Sequence, residues 1–193
     1  MKLLHIDSSV QGNNSVSRKL TSAIVARLRA EQPGIEVVRR DLAAQTLPHF
    51  TPALEEGHPC VARNGEILDE FLAADVVVIG APMYNFGIPS QLKAWIDRIQ
   101  IAGKTFRYTE HGPEGLAGPK RVIIASSRGG IYSEGPAAAV DFQETYLRHV
   151  LRFIGIGDVE IVRAEGLNMG DAQRKAGLAH AFAQISGELR VAA

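Results

Sequence analysis

Hydroxyl and amide side chains crowd the segment from residue 7 to residue 18, which leads into a helical pattern. The unpaired N–H groups of a helix's first turn, together with its partial positive charge, attract anions such as phosphate. The hydroxyls of Ser9, Ser15 and Ser17 could add donors there, and the side chain of Arg18 could add positive charge. Serine is also a common helix cap, which is the simpler interpretation. One cap needs one serine, so the density of these side chains favours an anion site.

A second segment, APMYNFGIPS over residues 81–90, places aromatic side chains directly after the most apolar run of the sequence. Met83, Tyr84 and Phe86 are costly to leave in water unless something flat covers them. They could instead pack on a neighbouring loop or on a partner subunit. Because they follow a buried strand, we expect a planar ligand to cover them.

A third segment, SSRGGIY over residues 126–132, holds the adjacent glycines Gly129 and Gly130. Without a side chain, glycine lets the backbone approach a ligand closely. A plain glycine turn is the competing interpretation. The overlapping stretch GIYSEG lacks the first glycine of a G-x-S-x-G nucleophile elbow, so a hydrolase is excluded.

Other common site motifs are absent from the sequence. Segment 7–18 has neither the G-x-x-x-x-G-K of a P-loop nor the G-x-G-x-x-G of a dinucleotide fold. Cys60 is the sole cysteine, which excludes an internal disulfide, and it lacks the arginine of a C-x-x-x-x-x-R phosphatase loop. The six histidines show no metal-binding spacing, so we expect no metal, and we expect His5 to be an ordinary strand residue.

The composition indicates one ordinary globular domain. The chain has 193 residues, 46% of them hydrophobic, and its 21 basic residues balance 21 acidic ones. A net charge of zero gives no sign of binding to nucleic acid or to an anionic membrane. The sequence shows no signal-peptide pattern and no apolar run of the ~18 residues that a membrane span needs. A single cysteine suits a reducing compartment, so we expect a cytoplasmic protein.

Short apolar runs alternate with helical patterns along the chain. The run DVVVIG over residues 75–80 is typical of a strand buried on both faces, as in a parallel sheet. Five strand-then-helix units predict a single α/β domain over residues 1–193, a three-layer sandwich with helices on both faces of a five-stranded parallel sheet. The predicted strands lie at 3–6, 35–38, 75–80, 121–126 and 159–162, and the predicted helices lie around 16–28, 67–72, 90–99 (capped by Ser90), 147–154 (ended by Gly155) and 178–189.

Five strands fit the flavodoxin-like order 2-1-3-4-5 better than the six-stranded dinucleotide fold. In this order a crevice opens between strands one and three, at their carboxyl ends. The three segments described above follow strands one, three and four. We therefore expect all three to meet at one ligand.

The same three segments resemble those of the FMN-dependent NADH-azoreductases, also called NADH:quinone oxidoreductases, of the flavodoxin-like superfamily. The resemblance spans essentially the whole chain and rests on several motifs in the right order. The motifs are Ser9 with Ser15 and Ser17, Pro82-Met83-Tyr84-Asn85-Phe86 followed by Gln91-Leu92-Lys93, Ser127-Arg128-Gly129-Gly130, Thr105-Phe106-Arg107-Tyr108-Thr109-Glu110 running into Gly112-Pro113-Glu114-Gly115-Leu116, and Phe153-Ile154-Gly155-Ile156.

The resemblance implies one FMN per subunit, held without a covalent bond. In that family hydride passes from NADH or NADPH through flavin N5 to a quinone or an azo compound in a ping-pong cycle, with no dedicated side-chain acid or base. Donors near flavin N1 favour the two-electron product, and the N–H groups of Gly129 and Gly130 and the side chain of Arg128 are the candidates. The implied FMN-binding residues are Ser9, Ser15, Val16, Ser17, Met83, Tyr84, Asn85, Phe86, Ser127, Arg128, Gly129 and Gly130.

The resemblance also implies a homodimer with FMN near the subunit interface. Phe86, Tyr108 and Tyr132 form the predicted substrate pocket, and the partner subunit is one possible source of Tyr108. The competing interpretation of the aromatic insertion at 105–108 is a self-packed surface flap. The stretch 41–64 is shorter than expected for the family, and it is a candidate for one wall of the pocket.

A flavodoxin-type electron carrier is the main alternative, because it shares the fold. Such carriers are usually strongly acidic, and the balanced charge of this chain opposes that interpretation. A response-regulator-like domain would need further acidic residues near Asp7 and an aspartate at the end of strand three. That strand ends in Gly80-Ala81-Pro82, so the signalling interpretation fails.

Overall fold

The computed structural model describes residues 1–51 and 59–189. In chain order its main elements are β1 (Lys2–Asp7), α1 (Val16–Glu31), β2 (Glu36–Asp41), α2 (Pro59–Ala73), β3 (Val76–Pro82), α3 (Ser90–Ile99), β4 (Phe106–Thr109), β5 (Gly112–Gly115), β6 (Arg121–Ser127), α4 (Glu144–Phe153), β7 (Val159–Ala164) and α5 (Asp171–Ala183). A π-helical turn, Gln184–Glu188, continues α5. None of these helices is long and apolar enough to cross a membrane.

Five of the strands form one parallel sheet in the order β2-β1-β3-β6-β7. Numbered within this sheet alone, the strands follow the predicted order 2-1-3-4-5. The central strand, β3, is buried along its whole length. Its β-branched run therefore correctly predicted a strand buried on both faces.

Helices cover both faces of the sheet, and successive residues of β1 alternate between two cores. Leu4 belongs to the core formed with α2, α3 and α4. Leu3 belongs to the core formed with α1 and α5. The predicted apolar stripe of α1, Leu20 with Ile24 and Leu28, is buried in this second core. The predicted three-layer sandwich is confirmed.

The start of α3 differs from the prediction by one residue. Ser90 was expected to cap the helix, but it is the first helical residue, and the cap position belongs to Pro89. Pro89 has the extended backbone of a cap residue (φ −58°, ψ 143°), and its carbonyl accepts a hydrogen bond from the Lys93 N–H at 3.0 Å. The fixed φ of proline suits this junction, so no side-chain cap is needed.

An antiparallel hairpin of β4 and β5 stands apart from the main sheet. The sequence predicted only an aromatic insertion here. The hairpin packs on the end of α4 through two glycines: a Cβ on Gly115 would lie 2.0 Å from the Gly155 backbone nitrogen. Gly155 has a φ of +94° and directly follows Ile154, the C-cap residue of α4, so the predicted helix end at this glycine is confirmed.

Candidate active site

Three loops follow the carboxyl ends of neighbouring strands: the β1 loop (residues 8–15), the β3 loop (83–89) and the β6 loop (128–132). β3 pairs in parallel with β1 on one side and with β6 on the other, so these ends lie along one edge of the sheet. The Met83 N–H donates a hydrogen bond to the Ser127 carbonyl at 2.8 Å, which ties the second loop to the third. The strand order changes direction between β1 and β3, and this is where ligands bind in such sheets.

The β1 loop ends at the first turn of α1, where two buried serines lie together. Ser15 caps the helix, because its Oγ accepts a hydrogen bond from the Arg18 N–H at 3.2 Å. The same Oγ lies 3.1 Å from the Ser17 Oγ. The cap and the anion site are therefore compatible, since two hydroxyls and the free N–H groups of a helix start converge at one place.

Tyr84 of the β3 loop reaches across to the β1 loop. Its phenol oxygen lies 3.1 Å from the Ser9 Oγ and accepts a hydrogen bond from the Val10 N–H at 3.3 Å. The Gln11 N–H in turn donates to the Ser9 Oγ at 3.3 Å. Tyr84 thus packs on the neighbouring loop through its hydroxyl, and this contact closes the gap between the two loops.

The β3 loop turns through two residues with positive φ. Tyr84 and Gly87 exchange backbone hydrogen bonds of 3.0 Å in both directions. Between them, Asn85 has a φ of +49° and Phe86 a φ of +68°, the backbone of a type I′ turn. This region is uncommon for asparagine and strained for a bulky residue. Such strain persists only where the surroundings hold it, and the Phe142 N–H does so by donating to the Phe86 carbonyl at 3.2 Å.

Neighbouring backbone carbonyls of the β6 loop point towards the segment after β7. Those of Gly129 and Gly130 accept hydrogen bonds of 2.9 Å from the N–H groups of Asn168 and Gly166. The N–H groups of the two glycines make no hydrogen bond to other backbone within the described residues. These two donors therefore remain for a ligand.

An aromatic pair closes the edge of the site between the β3 and β6 loops. The rings of Phe86 and Tyr132 meet edge to face, with centroids 6.2 Å apart and an angle of 81°. A Cβ on Gly130 would lie 3.1 Å from the Tyr132 ring, so the glycine lets that ring lie close to the loop backbone. Two of the three predicted pocket residues are thus brought together.

Comparison with known proteins agrees with this arrangement. A sequence profile described as a flavodoxin-like fold matches residues 1–189. The FMN-dependent NADH:quinone oxidoreductase of Rhizobium meliloti (strain 1021) is 58% identical, and the match covers 96% of this chain and 96% of that protein. The chain belongs to the FMN-dependent NADH:quinone oxidoreductase family. The family predicted from the loop motifs is confirmed.

Two solved structures extend the agreement to three dimensions. The azoreductase from Bacillus anthracis str. Sterne superimposes with a TM-score of 0.85 at 34% identity, over 96% of this chain and 98% of that chain. A FMN-dependent NADH-azoreductase from Bacillus anthracis str. Ames Ancestor, solved in complex with FMN, gives a TM-score of 0.85 at 29% identity, over 97% and 96% of the two chains.

The side chain of Arg128 in this oxidoreductase turns into the protein. It is almost fully buried, and its Nη atoms lie 3.1 Å from Glu165 Oε1, 2.9 Å from Asp141 Oδ2 and 2.5 Å from Glu144 Oε1. Its Nε donates to Gln143 Oε1 at 3.0 Å. The sequence predicted this guanidinium as a donor to the ligand, but three carboxylates hold it beneath the loop. The backbone of Arg128 is also used, because its N–H donates to the Ala164 carbonyl at 2.9 Å and its carbonyl accepts from the Leu167 N–H at 3.1 Å.

Glu165 completes this support from the segment after β7. Burial alone would raise the pKa of Glu165, but hydrogen bonds from the Ser133 hydroxyl and the Tyr132 N–H, with the charge of Arg128, lower it overall. The carboxylate accepts from the Tyr132 N–H at 2.8 Å and from the Ser133 N–H at 3.0 Å. An ionised Glu165 therefore fixes the backbone that follows the two glycines.

The charge of Arg18 in the β1 loop is also already used. Its guanidinium forms a bidentate pair with Asp41 at 2.6 and 2.7 Å. The expectation that Arg18 adds charge at the anion site is therefore not met by the geometry, because its formal charge is balanced by a carboxylate at the end of β2. Asp41 was missed, although its register partner in β1 is Asp7, next to the loop.

Tyr108 lies on the β4–β5 hairpin, away from the Phe86–Tyr132 pair. Its ring meets Phe106 at 5.6 Å, and Phe106 meets Phe153 at 4.7 Å. Within the described residues no ring contact joins Tyr108 to the other two predicted pocket residues. Part of the flap interpretation is therefore correct, since Phe106 packs on the protein's own core.

Three further predictions concern other parts of the chain. Among the described residues, no group of His, Cys, Asp and Glu is arranged to hold a metal ion. His5 is buried in β1, as expected of a strand residue. The stretch 41–64 is described only in part, because residues 52–62, with Cys60 among them, lie outside the residues whose side chains are described.

Proposed function

We propose that this chain is an FMN-dependent oxidoreductase that takes hydride from NADH or NADPH and reduces quinones, and also aromatic azo compounds, by two electrons. One observation carries the proposal. The three loops whose motifs predicted FMN binding meet at one edge of the sheet, in a chain 58% identical to a FMN-dependent NADH:quinone oxidoreductase. Bound FMN supplies the centre that accepts and donates hydride, and the protein's task is to bind and orient it.

The start of α1 is suited to hold the FMN phosphate. Ser15 and Ser17 are buried there, on either side of Val16 in the chain. Ser9 is also buried, and its carbonyl accepts a hydrogen bond from Arg18 of the same helix. Because Arg18 is paired with Asp41, the attraction comes from neutral donors and the helix's partial charge. These groups already hold their positions, so little free energy is lost in ordering them when the phosphate binds.

The β3 and β6 loops are suited to bind the flavin ring. Phe86 and Tyr132 supply flat apolar surface, and the N–H groups of Gly129 and Gly130 supply donors. Donors that face a ring edge which gains negative charge on reduction favour the reduced state. About 30 mV in a two-electron couple corresponds to a tenfold preference. The complete proposed set is Ser9, Ser15, Val16, Ser17, Met83, Tyr84, Asn85, Phe86, Ser127, Arg128 (as the buried support of the loop), Gly129 and Gly130.

A homodimer is the second part of the proposal. Three aromatic side chains of the β3 loop, the hairpin and the segment before α4 are open in the single chain: Phe86 is 50% exposed, Tyr108 75% and Phe142 60%. A second subunit would cover them and would supply a Tyr108 to the Phe86–Tyr132 pair. Sedimentation velocity tests this, because a dimer should be seen at micromolar concentration and a Phe142→Ser variant should shift the equilibrium towards the monomer.

The electron-carrier alternative has no specific observation in its favour. The relatives compared above are named as oxidoreductases and azoreductases. The balanced charge also lacks the acidic surface by which carriers dock their protein partners. A single cysteine and a nicotinamide donor suit an enzyme of the reducing cytoplasm.

The direct test is the visible absorption spectrum of the protein reconstituted with FMN, recorded without oxygen. NADH should bleach the flavin bands without a partner protein, and benzoquinone should restore them. Bands that persist after NADH, but fade with a chemical reductant, would favour the carrier. Failure to bind FMN would show the loop assignment to be wrong. A Ser17→Ala variant should bind FMN less tightly, whereas Ser22→Ala in the same helix should bind it as the parent does.

A further inference from the structure

The guanidinium of Arg18 forms hydrogen bonds with two groups at once. Its Nε and Nη2 donate to the Ser9 carbonyl at 3.2 and 2.8 Å, and its Nη1 and Nη2 donate to the two Asp41 oxygens at 2.6 and 2.7 Å. The side chain thus joins the β1 loop to the end of β2. A planar fork is the geometry that guanidinium offers and lysine does not.

Asp41 is itself held in place by backbone hydrogen bonds, so it can fix the position of the Arg18 guanidinium. Its Oδ1 accepts hydrogen bonds from the N–H groups of Ala43 and Ala44 at 3.1 and 3.2 Å. The N–H of Leu42 donates to the Asp7 carbonyl at 2.8 Å, which ties the same turn to the end of β1. The pair with Arg18 lowers the pKa of Asp41, so the carboxylate is ionised at neutral pH.

The charges around Arg18 cancel locally. Arg39 donates to Asp7 Oδ2 at 2.8 Å and lies 4.0 Å from Asp41 Oδ2, while Arg18 Nη1 lies 3.6 Å from Asp7 Oδ2. Two guanidinium groups therefore face two carboxylates, with His5 Nε2 3.3 Å from Asp7 Oδ1. The cluster brings little net positive charge to the anion site beside it.

We propose that Arg18 and Asp41 are positioning residues, which hold Ser9 for the FMN phosphate and do not supply charge to it. The inference rests on the proposed function. By holding the Ser9 carbonyl, the guanidinium keeps an electron-rich oxygen away from the phosphate. The Ser9 hydroxyl has other partners within the protein: it accepts a hydrogen bond from the Gln11 N–H and contacts the phenol oxygen of Tyr84.

Removing the charge of Asp41 separates this role from a direct charge role, because the two predict opposite signs. If Arg18 attracted the phosphate by charge, Asp41→Asn would free that charge and tighten FMN binding. If Arg18 positions Ser9, Asp41→Asn removes the bidentate ion pair that fixes the guanidinium and therefore weakens FMN binding. We expect about a tenfold weakening, the size of one charge-assisted hydrogen bond.

The chain offers a matched control in the neighbouring pair of Arg40 and Glu70. This pair is also bidentate, at 2.9 and 2.7 Å, and it is similarly half-buried. Arg40 lies in β2 next to Asp41, and its partner lies in α2. Glu70→Gln therefore removes one negative charge from a comparable ion pair next to Asp41 without changing a contact of the β1 loop.

The experiment measures the Kd of FMN, and of riboflavin as a phosphate-free probe, by quenching of flavin fluorescence on apoprotein. The variants are Asp41→Asn, Arg18→Lys and Glu70→Gln, and urea unfolding shows which of them are folded. We expect Asp41→Asn and Arg18→Lys to weaken FMN binding about tenfold, with riboflavin changed less than about twofold. Glu70→Gln should leave both values unchanged. Arg18→Lys keeps the positive charge but loses the planar, bidentate geometry of the guanidinium. This variant alone therefore separates the positioning role from the charge role if Asp41→Asn does not fold.

Tighter or unchanged FMN binding by Asp41→Asn overturns the inference, as does an Arg18→Lys protein that binds FMN as the parent does. An equal loss for riboflavin also overturns it, because the effect would then not be at the phosphate. A parent protein that binds no FMN overturns the proposed function as well. The two failures are thus distinguishable.

Discussion

The phenol oxygen of Tyr84 lies 3.1 Å from the hydroxyl oxygen of Ser9, although 75 residues separate them in the chain. The contact joins the loop after the first strand to the loop after the third. It makes the proposed phosphate end and the proposed ring end of the site into one connected structure. The predictions that follow test the parts of this structure separately.

Removing the Tyr84 hydroxyl should loosen the site while leaving the fold intact. Tyr84→Phe loses the contacts to Ser9 Oγ and the Val10 N–H, so we expect the Kd of FMN to rise about fivefold. The thermal midpoint of the apoprotein should change little, because Tyr84 is only half-buried. Tyr146→Phe, which removes a hydroxyl beside the core and far along the chain, is the control. Equal Kd values for Tyr84→Phe and the parent would contradict the prediction.

The positive φ of Phe86 can be tested by comparing two truncations. Glycine normally costs about 0.5–1 kcal/mol of stability relative to alanine. At a φ of +68° the order should reverse, so Phe86→Gly should be more stable than Phe86→Ala by about 1 kcal/mol. Urea unfolding of the two apoproteins measures this difference. A less stable glycine variant would show that the turn is not strained in solution.

Loss of the buried Arg128 should be among the most damaging single changes. Arg128→Met leaves Asp141 and Glu165 without their cation, and we expect a loss of about 3–5 kcal/mol in the free energy of unfolding. The loss should shrink at low pH, as the Glu165 carboxylate, whose pKa the charge of Arg128 helps to lower, becomes protonated. Arg107→Met, which breaks the exposed pair with Glu114, should cost less than about 1 kcal/mol. A similar cost for both variants would refute the structural role of Arg128.

Asp7 predicts how stability depends on pH. Burial alone would raise the pKa of Asp7, but contacts with His5, Arg39 and Thr21 lower it from 3.8 to about 2. Its folded-state pKa is thus depressed, so its stabilisation is present above about pH 4 and is lost as the pH falls towards 2. The loss should be about 2 kcal/mol, since one pKa unit is worth about 1.4 kcal/mol. Urea unfolding between pH 5 and 2 measures most of it, because the upper limit lies above the ordinary pKa of 3.8 and the lower limit lies at the folded-state pKa of about 2. Asp7→Asn should flatten that slope. A carboxyl titration by NMR that places Asp7 near 4 would contradict the assignment.

Substituting Tyr108 should change the KM for the quinone acceptor and leave the affinity for FMN unchanged. Tyr108→Ala should raise the KM for quinones severalfold while the Kd of FMN stays unchanged, because the residue lies on the hairpin and not on the three loops. Lys104→Ala, near the base of the same hairpin, is the control. Identical kinetics for Tyr108→Ala and the parent across several quinones would remove the residue from the pocket.

The local sequence pattern predicted the strands and the three loops, because each of them is determined by residues close together in the chain. The buried run before Pro82 and the polar run after Ile6 signal a strand and a helix start without reference to the rest of the protein. The strand order was adopted from the fold type, and the structure confirms it. The positions of the loops followed from that order.

The roles of Arg18 and Arg128 could not be predicted in this way. An arginine beside a predicted anion site is the natural candidate for binding the anion. What changes the conclusion is a carboxylate from another strand end: Asp41 lies 23 residues from Arg18, and Glu165 lies 37 residues from Arg128. Only the folded sheet brings these groups together, so their charges cannot be assigned from spacing alone.

The contact between Gly115 and Gly155 has a consequence for how the hairpin can vary. Backbone meets backbone at this point, with no room for a side chain on Gly115. The tip of the hairpin, at residues 109–112, lies at the other end of β5 and takes no part in this contact. The tip can therefore be exchanged for another sequence without redesigning this attachment to the helix.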